Sequence, residues 1–239
     1  MRYEDLVAGV AREVGVLTTA FERVGPGDPV PTCPDWKVLD LATHLGEFIG
    51  FWTHVLCEGT GRPKTPWNPA PANDLAPWFA EIGGHLVAEL AAASGDTPVW
   101  TWSPTDQTAG FVARRCAHEL TVHRVDAELV SGSHGPIDPD IAADGIDEMF
   151  MIATDGPRAG AAGNGETLHV HGTDRPAEWF VTLAPTGTTV EARHEKADLA
   201  LRGPVAELEL LLYQRPTSAG IERLGDEGVL DAWYRVFTF

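Results

Sequence analysis

A chain of 239 residues with 44% apolar residues, eight Trp and a formal net charge of −18 can bury a sizeable core, and its charge argues against nucleic-acid or anionic-membrane partners. Its apolar runs fall far short of the roughly 20 residues a membrane span needs, and no basic start precedes an apolar stretch, so neither a span nor a secretory signal is expected. Three scattered cysteines, Cys33, Cys57 and Cys116, make no disulfide framework, and the cytoplasm is the default compartment.

Residues 3 to 24 read as an amphipathic helix, with Tyr3, Leu6, Val10, Val14, Leu17 and Phe21 at steps of three and four. Gly25-Pro-Gly-Asp-Pro29 stops it. Thr32-Cys-Pro-Asp-Trp36 is a turn, and Asp35 is positioned to cap a second helix running to about Glu58. That helix lines up Leu41, His44, Phe48, Phe51 and Val55 on one face, which places an imidazole on the buried side. A lone His on an apolar face is commonly a hydrogen-bonded core residue. His54 points about 80° away from the stripe and is set aside.

Residues 59 to 73, with Gly61, Pro63, Pro66, Pro69 and Pro71, form a surface loop in which Trp67 either covers a pocket or anchors the loop. A third helix, Asp74 to Ala93, carries Leu75, Phe79, Ile82, Leu86 and Leu90, weakened by Gly83-Gly84. Thr97 to Thr108 is extended or a hairpin.

The fourth helix holds the most informative stretch, Arg114 to Leu129. Val112, Cys116, Glu119, Leu120, His123, Ala127 and Val130 share one face, with Arg114, His118, Thr121 and Glu128 opposite. Burying an ionised Glu without a partner costs several kcal/mol, and a divalent metal would satisfy Glu119 and His123 together. The bland alternative is a surface pair worth a few tenths of a kcal/mol. His118-Glu119 with His123 imitates a zinc-protease signature, but those two His are five apart, about 140° around the helix, rather than four. If the second and fourth helices pack side by side, His44, Glu119 and His123 make a His/Glu/His set, which zinc uses when a fourth position stays open. Cys116, one turn before Glu119, is a competing ligand, although buried packing is the usual fate of a free Cys. Asp126, at the margin of the stripe, is placed to orient a ligand His.

Four such helices suggest a bundle, whose interior is where facing side chains build metal sites. A fifth helix spans about Asp138 to Ile152, and Thr154 to Gly165 reads as a linker, giving a helical domain over 1–153 and a second over 164–239. In the latter, Leu168 to Val170, Trp179 to Leu183, Thr188 to Ala192 and Asp198 to Arg202 alternate as strands, a helix covers Pro204 to Tyr213, and Trp233 to Phe239 reads as a final strand. His169 and His171 share a strand face and could chelate a metal, but solvated strand residues are the plainer reading. The fold class is therefore α+β, a helical bundle followed by a small α+β domain.

Cys33-Pro-Asp-Trp36 followed by Asp40-Leu-Ala-Thr-His-Leu-Gly46, with Arg115 through His118-Glu119 to His123-Arg-Val-Asp126, resembles the mycothiol-dependent maleylpyruvate isomerase family, whose N-terminal part is a DinB-like four-helix bundle. The resemblance covers nearly the whole chain and implies zinc at His44, Glu119 and His123. It further implies that Arg215, after Leu211-Leu-Tyr-Gln214, serves the cleft. The family often has Gly where this chain has Gln214, and the plain alternative for Arg215 is a helix-terminal Arg favoured by the helix dipole. The implied chemistry is zinc-dependent. Mycothiol, a low-molecular-weight thiol, is ionised at the metal and adds to a small electrophile such as maleylpyruvate, giving isomerisation or thiol transfer. Arg215 would pair with a carboxylate. Two other classes fit the same scaffold: a non-catalytic, metal-stabilised binding or regulatory module, and a zinc hydrolase with water at the open position.

Overall fold

The computed structural model describes residues 1–59, 69–155, 163–218 and 220–237. It divides into two compact units, Met1–Gly135 and Pro136–Phe239. Trp67 lies outside the described residues.

The first unit is a four-helix bundle of α1 (Tyr3–Phe21), α2 (Val38–Glu58), α3 (Leu75–Ala92) and α4 (Ala109–Leu129). α1 packs on α3 and α4, and α2 also packs on α3 and α4, so the helices close a ring around one core. Leu6, Val10, Val14, Leu17 and Phe21 of α1 are buried as their spacing requires. α2 differs in two respects. Its start is held by Asp40, whose carboxylate accepts the Lys37 backbone N–H at 2.8 Å, while Asp35 is exposed and caps nothing. Its core stripe is Leu41, Ala42, Leu45, Ile49, Trp52 and Val55; His44, Phe48 and Phe51 stand half-buried beside it. A helix flanked by two neighbours buries a stripe wider than one row of side chains, and His44 marks its edge.

Gly83 has a packing role: a Cβ there would lie 2.5 Å from Cγ1 of Val14, so the absence of a side chain lets α3 approach α1 closely. α4 opens on Thr108, whose hydroxyl accepts the Phe111 N–H at 3.3 Å. It is buried around most of its circumference. His118 and Thr121, on the face opposite the expected stripe, are buried, and Arg124 pairs with Glu13 of α1 at 2.7 Å. α4 therefore has an inner face toward α1 as well as one toward α2.

The second unit contains α5 (Pro139–Asp155), β1 (Glu166–Gly172), β2 (Glu178–Ala184), β3 (Gly187–Glu191), β4 (Leu199–Gly203), α6 (Val205–Leu212), β5 (Glu222–Gly225) and α7 (Gly228–Val236). The sheet order is β3-β2-β1-β4-β5, with β1 and β4 parallel and the other pairs antiparallel. Leu168, Val170, Val181, Leu183, Leu199 and Leu201 are fully buried, and α6 and α7 pack on these strands. The chain is thus α+β, with a helical region followed by a small sheet unit.

Two expectations are corrected. The sequence pattern puts the fifth helix with the bundle over 1–153, but α5 packs on α6 and β3, and Trp179 donates to Asp147 at 2.6 Å, so it lies with the sheet and the unit boundary falls at 135/136. Trp233 to Val236 is the end of a helix, not a final strand: Val229, Leu230, Trp233 and Val236 are buried at helical spacing, and the rings of Trp233 and Phe237 stack 4.9 Å apart. β5, whose residues are all exposed, was not expected at all. No helix among the described residues is long and apolar enough to cross a membrane.

Candidate metal centre

His44 from α2 and Glu119 and His123 from α4 meet in the first unit. Glu119 and His123, one helical turn apart, present their side chains to the same side. His44 Nε2 lies 3.0 Å from Glu119 Oε1, and His123 Nε2 lies 3.5 Å from the same oxygen. One donor atom from each of the three falls within 4.8 Å of the others. Tetrahedral zinc with bonds of about 2.0–2.1 Å keeps its ligand atoms about 3.4 Å apart, so small side-chain adjustments fit the set to such an ion. Cys116 is fully buried and is not one of the converging donors.

The two oxygens of Glu119 have separate tasks. Arg115, one turn earlier on α4, donates to Oε2 at 2.6 Å while its guanidinium lies 5.7 Å from the centre of the Phe48 ring. Oε1 is left facing both imidazoles. Burial by itself would raise the Glu119 carboxyl, but hydrogen bonds from His123 and His44 and the nearby Arg115 charge hold it well below its ordinary value.

His123 is oriented from behind. Its Nδ1 lies 2.8 Å from Oδ2 of Asp126, which is fully buried. Asp126 in turn accepts from the Thr32 hydroxyl at 2.6 Å and the Cys33 thiol at 3.9 Å. Burial opposes charge on the ring, yet Asp126 and Glu119 outweigh it and push His123 up to about 9. The charged ring of His123 thus lies between the carboxylates of Asp126 and Glu119; were a cation bound, Asp126 would retain the Nδ1 proton and leave Nε2 to face it.

Trp36 forms a wall. Its ring lies 5.1 Å from that of His44 and stacks at 6.1 Å on that of His123. The turn from Thr32 to Trp36 therefore braces Asp126 at one end and shields both imidazoles at the other, which ties the two sequence motifs into one construction. The His44 side chain is 35% exposed against 12% for His123, so the centre opens to solvent on the α2 side.

The sequence does not assign Arg115, Thr32, Cys33 or Trp36 a place in the site: Cys33, Trp36 and Arg115 stand in the two motifs that carry the family resemblance, and Arg115 also has i, i+4 spacing to Glu119.

Arg215 belongs to the second unit. It is buried, and one guanidinium nitrogen donates to the Tyr213 carbonyl at 2.7 Å. Gln214 before it has φ 61°, the left-handed backbone that glycine adopts without strain. The Gln214 N–H reaches the Leu211 carbonyl at 2.9 Å and the Arg215 N–H that of Leu210 at 2.8 Å, which is the Schellman termination of a helix. The chain thus completes this turn with Gln214 in the left-handed position.

A family model described as "Mycothiol maleylpyruvate isomerase N-terminal domain" matches residues 3–128. Among solved structures, the crystal structure of the mycothiol-dependent maleylpyruvate isomerase is similar with 15% identity and a TM-score of 0.59 over 93% of each chain. A His-to-Ala variant of that enzyme is similar with 14% identity and a TM-score of 0.58, again over 93% of each chain. No curated protein matches the chain. With the family model covering the whole bundle that carries His44, Glu119 and His123, the chain belongs to the mycothiol maleylpyruvate isomerase family.

Proposed function

We propose that this protein is a zinc-dependent enzyme using mycothiol, in which the thiolate adds to a small electrophile such as maleylpyruvate and either isomerises it or stays attached as a transferred group. The observation that carries the reading is the convergence of His44, Glu119 and His123 from two helices, within a domain of this family. These three would hold a zinc ion, which would supply the charge that keeps a thiol ionised near neutral pH.

The chain's own residues have distinct parts. Asp126, 2.8 Å from Nδ1 of His123, would keep the proton on that nitrogen and leave Nε2 for the metal. Arg115 neutralises the outer oxygen of Glu119, which leaves one oxygen for coordination. Trp36 keeps water from one flank of the imidazoles, and the exposed side of His44 is the route for thiol and substrate. Arg215, by family resemblance, is assigned the binding of a carboxylate as a bidentate donor. Addition of the thiolate to the cis double bond of an unsaturated diacid leaves a single bond; rotation and loss of the thiolate return the trans isomer with the thiol regenerated.

The test is consumption of maleylpyruvate by the purified zinc-loaded protein with and without mycothiol. Turnover that needs the thiol and stops with a chelator is expected. Hydrolysis of an ester or amide panel without thiol would replace this reading with a zinc hydrolase. Stoichiometric metal with no turnover of electrophiles would replace it with a binding or regulatory module.

A further inference from the structure

A second convergence of ligand-type side chains lies in the sheet unit. His169 and His171 are two residues apart on β1 and project from the same face. Glu178 of β2 stands directly opposite His171 in the antiparallel register, so it shares that face. His194, in the segment between β3 and β4, folds back over them. His169 Nε2 lies 2.8 Å and His171 Nδ1 2.9 Å from Oε1 of Glu178, and His194 Nδ1 also contacts that oxygen. One donor atom from each of the four side chains falls within 4.8 Å of the others.

Three imidazole nitrogens directed at one carboxylate oxygen are poorly served by hydrogen bonding alone, because that oxygen has two lone pairs to offer. Four donors grouped around a common centre are what a tetrahedral cation needs, with neighbouring ligand atoms about 3.4 Å apart. We propose that His169, His171, Glu178 and His194 form a second metal site, taking a divalent first-row cation of the zinc class and pinning the segment between β3 and β4 onto the sheet.

The surroundings suit this role. The opposite face of β1 carries Leu168 and Val170 into the core, so both strands are rigid supports. His169 is 7% exposed at its side chain and His194 76%, so the set runs from a fixed inner ligand to an outer one that can close over an entering ion. The same His cluster lines a cavity of about 720 Å³ together with Lys196 and Arg202, which gives the ion a route from solvent. The segment from residue 192 to 198 has no regular structure; Arg193 over the Phe180 ring and Asp198 on Thr167 fix its two ends, and the ion would fix the stretch around His194 between them. Imidazole-rich donor sets favour zinc, nickel and copper over magnesium or calcium. Four protein ligands fill a tetrahedral shell, so the site is structural, and it is independent of the centre on α2 and α4.

The experiment is metal content after loading the full chain with zinc chloride and dialysing against zinc-free buffer. Two equivalents are expected for the wild type. One should remain in His44→Ala, and one in His171→Ala combined with His194→Ala, a half-buried and an exposed position outside the core. Zinc added to His44→Ala should slow amide exchange over residues 192–198, and cobalt in its place should give the visible absorption of a tetrahedral nitrogen/oxygen site. Zinc at the same stoichiometry in wild type and in the His171/His194 double variant overturns the proposal, as does unchanged exchange in that segment; a single equivalent lost in the double variant but kept in His44→Ala leaves the sheet site standing and removes the bundle site instead.

Discussion

The carboxylate of Asp126 meets Nδ1 of His123 at 2.8 Å, and the other oxygen of the same carboxylate is tied 94 residues back in the chain to the hydroxyl of Thr32. The rotamer of His123 is thereby set from outside its own helix. Outer partners of this kind typically account for about 10–100-fold in metal affinity. Asp126→Asn, which keeps the shape but loses the fixed acceptor charge, is expected to weaken zinc binding at the bundle site by that factor, read by chelator competition. Thr32→Val should weaken it less, because Asp126 retains the Cys33 contact. Equal zinc affinity in Asp126→Asn and wild type would remove Asp126 from the site.

Metal uptake should expel protons. In the metal-free protein, His123 keeps its second proton up to about pH 9 because Asp126 and Glu119 outweigh its burial. A zinc ion needs the Nε2 lone pair, so binding near pH 7 must release that proton, and apparent affinity rises about tenfold per pH unit for each proton displaced. The rise should flatten above about pH 9, where the metal-free ring is already neutral. For the metal-free fold the raised value means stability fully present below the ordinary 6.5 and lost as pH climbs through about 9. Titration in weak buffer measures the proton directly; zinc binding at pH 7 with no proton released would contradict this account.

The backbone at Gln214 offers a test away from the metal. Its φ of 61° is a conformation that costs a side-chain-bearing residue about 1–2 kcal/mol. Glycine removes this strain but adds chain entropy to the unfolded state worth roughly 0.5–1 kcal/mol. Gln214→Gly is therefore expected to stabilise the second unit by about 0.5–1 kcal/mol in urea unfolding. Gln214→Val, β-branched and poor in left-handed backbone, should destabilise it.

The convergence of His44, Glu119 and His123 was legible because helical period sets His44 on one helix and Glu119 with His123 on another, and amphipathic helices turn those faces toward each other. The brace was not. Thr32, Cys33 and Trp36 reach the site through contacts with residues far along the chain, and such contacts leave no periodic trace. The same reason hid the second cluster: His169 and His171 alone look like solvated strand residues, and only the fold brings Glu178 and His194 over them. α5 was recognised as a helix with a buried face, but a pattern of apolar residues does not name the surface it packs against. In α7, alternation over the last few residues masked the helical spacing of Val229, Leu230, Trp233 and Val236, which needs a longer window. β5 carries no buried residue and so lacked the alternation that marks a strand.

Two adjacent glycines of α3 should respond unequally to the same substitution. At Gly84 an added Cβ meets nothing within 4 Å, so Gly84→Ala gains helix propensity worth about 0.8–1 kcal/mol and should stabilise the bundle. At Gly83 an added Cβ would lie 2.5 Å from Cγ1 and 2.9 Å from Cγ2 of Val14, a branched side chain fully engaged in the α1 core. Overpacking of this kind typically costs about 1–3 kcal/mol, which exceeds the propensity gain at the upper end and roughly cancels it at the lower. Gly83→Ala should therefore fall below Gly84→Ala by about 1–3 kcal/mol in denaturant unfolding. Combining Gly83→Ala with Val14→Ala should make the two substitutions non-additive, because each removes part of the cause of the other's loss. Strict additivity would mean that α1 and α3 do not approach at this point.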